Sequence, residues 1–125
     1  MTALTTEART TLTTALEATN LKVYDIAPQV PKPPCLVVIP DAPWVDIDRI
    51  GSQLNYTTRW RILVVISPRQ NAAAQTDTEN AVDLVLGAIP APYLVTSIGA
   101  PQLTDTWAQG IVITTEINVS VRMKE

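Results

Sequence analysis

The sequence predicts an α+β domain, a mainly antiparallel β-sheet with two α-helices packed on one face, and three observations carry that prediction. Two stretches, one near the N-terminus and one in the second half, repeat apolar residues every three or four positions, as one face of a helix requires. Two others, Asn55 to Ser67 and Ile111 to Arg122, alternate with the period of two that belongs to strands. The order helix, strands, helix, strands is that of an α+β fold. At 125 residues the chain has the length of one domain, so residues 1–125 are taken as a single unit.

Leu4, Ala8, Leu12, Ala15 and Leu16 share one helical face, which predicts a first helix from Leu4 to Thr19. Asn20 can close it in the left-handed conformation that asparagine tolerates, and Leu21 to Ile26 then reads as a short strand. Pro28, Pro31, Pro33 and Pro34 follow, and proline cannot donate to a ladder, so this stretch is expected as an extended arm or sheet edge. Its P-x-x-P spacings would also suit an aromatic groove. Cys35 to Ile39 is an apolar run suited to a strand covered on both faces, which Pro40 is expected to end. Asp41 to Leu54, with Pro43 and Gly51, is expected as a hairpin or protruding loop with a short strand around Trp44 to Ile47.

In Asn55 to Ser67, the side chains of Tyr56, Thr58, Trp60, Ile62, Val64 and Ile66 share a face, and Asn55, Thr57, Arg59 and Arg61 share the other. Beyond Arg61 both faces are apolar, so the strand runs from a half-exposed end into a covered sheet. Ala74, Thr78, Ala81, Val82, Val85, Leu86 and Ile89 predict the second helix, with Gly87 and Pro90 as its stop. Tyr93 to Ile98 reads as a brief strand, and Gln102 to Trp107 with Ile111 to Arg122 as a terminal hairpin.

Composition narrows the function. With 46% hydrophobic residues and no long apolar run, the chain has no candidate membrane span, and its polar Thr-rich start does not look like an export signal. A net charge of −3 and scattered basic residues argue against specific nucleic-acid binding. There is no histidine, a single cysteine (Cys35) and only four glycines, none in a phosphate-binding pattern, so the expectation is no enzyme and no cofactor. Asp41, Asp46 and Asp48 form the one carboxylate cluster; Ca²⁺ or Mg²⁺ prefers such ligands, but the spacing of a calcium loop is missing and a solvated acidic loop is the simpler reading, with no metal site. Arg59 and Arg61 could pair with carboxylates of a partner or with Glu116 on a neighbouring strand.

The layout of an N-terminal amphipathic helix, the segment Pro-Pro-Cys-Leu-Val-Val-Ile from Pro33, the strand Tyr-Thr-Thr-Arg-Trp-Arg-Ile-Leu-Val-Val-Ile from Tyr56, an Ala-rich helix and a terminal hairpin resembles the tail terminator proteins of long-tailed bacteriophages, especially siphophages of actinobacterial hosts. The resemblance spans nearly the whole chain. It implies a structural virion protein, located in the tail neck and assembled in the host cytoplasm. It further implies a homo-oligomeric ring of six subunits that caps the head-proximal end of the tail tube. The implied partners are the chain itself, the tail tube protein and the head-tail connector, with a lumen that can pass DNA. Another neck component, such as a connector or tail completion protein, and a non-viral interaction adaptor are the alternatives. The expected contact residues are Trp44, Asp46, Asp48 and Arg49 on the loop, Arg59 and Arg61 on the strand, and Arg69 after it. Reversing Arg59 and Arg61 together is expected to block assembly and leave the monomer folded.

Overall fold

A computed structural model of the chain describes residues 4–25, 32–50, 53–67, 71–104 and 111–124. Helix α1 (Leu4–Leu16) runs into a 3₁₀ turn at Glu17–Thr19. Ala8, Leu12 and Leu16, spaced by four, are its buried stripe. The turn is closed from within: the Thr19 hydroxyl donates to the Leu16 carbonyl at 2.7 Å and accepts the Leu21 N–H at 3.2 Å. Asn20 then takes φ 64°, the left-handed cap expected of it, and its N–H donates to the Glu17 carbonyl.

Among the described residues six strands form one sheet: β1 (Lys22–Tyr24), β2 (Cys35–Ile50), β3 (Gln53–Ile66), β4 (Leu94–Ile98), β5 (Gln102–Thr104) and β6 (Val112–Lys124), with α2 (Asn71–Ala88) between β3 and β4. Their spatial order is β1-β2-β3-β6-β4, and β5 pairs with the same side of β6 as β4, further along it. All pairs are antiparallel except β1 with β2. The strands of that parallel pair are joined through residues 25–34.

The alternation of β3 decides the core. Trp60, Ile62, Val64 and Ile66 are buried with Leu36 and Val38 of β2, Ile117, Val119 and Val121 of β6, and the stripes of both helices. Both helices thus lie on one face of the sheet. On α2 the buried stripe is Ala74, Thr78, Ala81 and Val85, and the Thr78 hydroxyl is satisfied by the Ala74 carbonyl at 2.9 Å. Leu86, expected in that stripe, is exposed, because it is turned about 100° from Val85 around the helix axis. Tyr93 ties the turn that follows α2 to α1: its hydroxyl donates to the Ala8 carbonyl, while its own N–H donates to the Pro90 carbonyl at 2.9 Å. The opposite face carries a second apolar cluster of Cys35, Val37, Val65 and Val112, so both faces are buried beyond Arg61 as expected.

Four expectations need correction. Pro40 does not end the strand; of the two readings of Asp41 to Leu54 the hairpin is the one found, and its strand runs through the expected Trp44 to Ile47. β2 continues to Ile50, with its register to β3 interrupted only between Pro40 and Val45, where Asp41 to Trp44 swing out as a bulge opposite Arg59. Pro40 and Pro43 fall where β2 has a described neighbour on one side only, and there a strand tolerates a missing N–H. Gly87 does not stop α2, which reaches Ala88 before Pro90 ends it. β4 begins at Leu94, one residue after Tyr93, and β6 begins at Val112, leaving Ile111 outside the ladder and exposed. Ile26, the arm from Pro28 to Pro31, and Trp107 lie outside the described residues.

Candidate interaction surface

The residues expected at a contact surface divide along the two faces of the β2–β3 hairpin. Trp44, at the end of the bulge, stands edge-on to buried Trp60, with ring centroids 5.9 Å apart and planes at 82°, an arrangement favoured by the ring quadrupoles. It remains 44% exposed, and Ile47, further out on the same strand, is 67% exposed.

Arg59 and Arg61 lie on the face away from the helices, and both are engaged inside the chain. The Arg59 Nε–H donates to Asp46 Oδ2 at 3.1 Å, and its terminal nitrogen reaches the same oxygen. The Arg61 guanidinium donates to Asp41 Oδ1 at 2.9 Å and lies 3.6 Å from Glu116 Oε1. The register explains each pairing. Asp46 opposes Thr57 and Glu116 opposes Leu63, so each carboxylate is a diagonal neighbour of its arginine, within reach of a long side chain. Asp41 is delivered by the bulge. Of the two readings open for these arginines, the structure shows the intrachain one, including the contact with Glu116.

The pairing changes what a charge reversal reports. Arg59→Glu with Arg61→Glu would place five carboxylates together on this face. Because the pairs are partly solvated, the expected cost is about 1–2 kcal/mol of stability, read as a lower urea midpoint of the monomer. The monomer is then expected to stay folded, with reduced stability.

The backbones of Asp48 and Arg49 are in β2, opposite Asn55 and Leu54, and their side chains lie outside the described residues, as does Arg69 altogether. Among the described residues no group of three acidic or cysteine side chains is placed to hold a metal ion, and Asp41 and Asp46 are each taken by a guanidinium. Cys35 is buried, which pushes its thiol up to about 11 and keeps it protonated at neutral pH. A groove of about 430 Å³ between α2 and the strand ends is lined by apolar Leu21, Pro34, Ile66, Ala81 and Leu84, with Ser67, Asp77 and Asn80 as its polar residues. No described helix is long and apolar enough to cross a membrane.

A surface that the expected residues do not include is the sheet edge formed by β4. All five of its residues are exposed, and Leu94 is 67% exposed. The signal was present in the sequence as an absence: from Leu84 to Thr104 there is no charged residue in 21 positions. That stretch holds six of the nine large apolar side chains exposed among the described residues.

No protein-family model matches this chain, and no curated protein matches it.

Proposed function

We propose that this chain is a structural virion protein that closes into a ring of six subunits on the head-proximal end of a phage tail tube, ends tube polymerisation and presents the joining surface for the head connector. The observation that supports this reading is the β2–β3 hairpin. Its ladder continues from Trp60 out to the pair Ile50 and Gln53, while the helix-packed core residues of β3 begin at Trp60. β6 accompanies β3 as far as Asn55, opposite Lys124, so the two-stranded part is the tip around Ile50 and Gln53. On its β2 strand the hairpin carries exposed Ile47, with Trp44 44% exposed at its root, apolar side chains that leave water on association. Such a part gains stability by docking on another subunit. A contact between unlike surfaces closes into a ring when its rotation allows, and no catalytic group is needed for the task.

The test is tail assembly with and without the chain. With it, tubes are expected to stop at one length and to carry a ring at one end in electron micrographs. In its absence, tubes are expected to overgrow and to fail to join heads. Tubes of normal length and normal joining without the chain would overturn the proposal.

A further inference from the structure

The two sheet edges are not equivalent. On the β2 side, the edge is guarded by three-residue β1 with Lys22 and Asp25 beside it, then by Pro40, Pro43 and the bulge. Beyond the bulge there is no further proline or described covering strand: Val45 to Ile50, which include the charged Asp46, Asp48 and Arg49, pair with β3 on one side and have no described partner on the other. On the β6 side, β4 has neither proline nor charge within it, and its one guard is the extra residue between Val95 and Ser97. The Gly99 N–H points inward to the Glu116 carbonyl at 2.8 Å, so the alternation of an antiparallel ladder turns the N–H and C=O of Ile98 to the open side.

The apolar residues of these two open segments also fall on one face. Val95 and Ile98 oppose Val119 and Ile117, and so lie on the helix side of the sheet. Val45 and Ile47 oppose Thr58 and Tyr56, and lie on that side too. Placed side by side with the helices of both copies on the same side, the two segments would bring Ile47 against Val95 and Ile98, and all three are now exposed. On the other face of the hairpin Asp46 is paired with Arg59, and the strip it would meet carries no charge of its own, so two copies of a chain with net charge −3 can approach there without facing like charges.

From this match we infer that β4 is the docking edge for the β2 segment Val45 to Ile50 of a second copy of this chain, so that the sheet continues from subunit to subunit. Because the donor and acceptor segments differ and lie on opposite edges, each copy gives one contact and takes another, which is the head-to-tail geometry of a ring. The contact rests on the ring-forming role proposed above.

Cysteine cross-linking tests it, since native Cys35 is buried and protected from an oxidant. Ile47→Cys is mixed with Val95→Cys, and separately with Ile98→Cys, under mild oxidation, with tube ends present as template. A disulfide dimer is expected in one or both mixtures and in neither variant alone. Dimers of Val95→Cys or Ile98→Cys alone would show β4 pairing with itself and overturn the inference. Absence of the mixed disulfide, in rings or in monomers, would overturn it as well, and would leave β4 to a strand of another protein. The two proposals fail separately: rings that cap tubes without the mixed disulfide retain the terminator role and remove this contact, whereas cross-linked rings that leave tubes growing do the reverse.

Discussion

Trp60→Ala is expected to cost about 3–5 kcal/mol, a large part of the roughly 5–15 kcal/mol that holds a domain of this size together. Trp60 is the largest fully buried side chain described, 1% exposed, and it stands where β2, β3 and β6 meet, opposite Pro40 and Val119. Its indole N–H is satisfied within its own strand by the Thr58 hydroxyl at 3.1 Å, so truncation leaves a cavity and removes a made hydrogen bond together. Trp44 covers it from outside and cannot collapse far into the gap, because it is held by the bulge. Trp44→Ala, by contrast, removes only the edge-on contact and a half-exposed ring, worth about 1 kcal/mol. Chemical denaturation of the two variants checks the contrast. A Trp60→Ala loss no greater than that of Trp44→Ala would show that the two rings are not arranged as described.

Alkaline pH is expected to unfold the domain through two acids that folding keeps neutral. Burial raises Cys35 from 9 to about 11. Burial, then the nearby Glu7 carboxylate, raises Tyr93 from 10 to about 12, against a smaller opposing effect of the Thr11 hydroxyl. For each group the folded pKa is the higher one, so the unfolded chain loses its proton first. The stabilising contribution is complete below the unfolded value and disappears as pH rises through the folded value. Stability should therefore be unaffected by these groups up to about pH 9, fall from 9 to 11 through Cys35, and fall from 10 to 12 through Tyr93. The loss is on the order of 2–3 kcal/mol for each group. Cys35→Ala should remove the lower limb of that fall and Tyr93→Phe the upper one, while Tyr93→Phe also loses the bond to the Ala8 carbonyl at every pH. Urea midpoints measured from pH 7 to 11.5 distinguish these shapes. A wild-type curve that is flat to pH 11 would refute the account.

The sequence by itself determined the parts of this protein that depend on local geometry. α1 and its left-handed stop at Asn20 follow from a period of 3.6 and from the tolerance of asparagine for positive φ. The helix-facing side of β3 follows from a period of two, and the α+β class follows from the order of these segments. The fate of Asp41 to Ile50 was decided by tertiary structure. Pro40 and Pro43 signal a break by local rules, and only the presence of β3 on one side, with the opposite side left open there, makes a bulged strand acceptable. The partners of Arg59 and Arg61 were decided at the same level. Glu116 and Asp41 are far from Arg61 in sequence and come within reach only when β6 and the bulge flank β3. The open β4 edge is of the same kind. Its residues are a brief uncharged stretch in the chain, and they become an exposed surface because the sheet order places no further described strand beyond them.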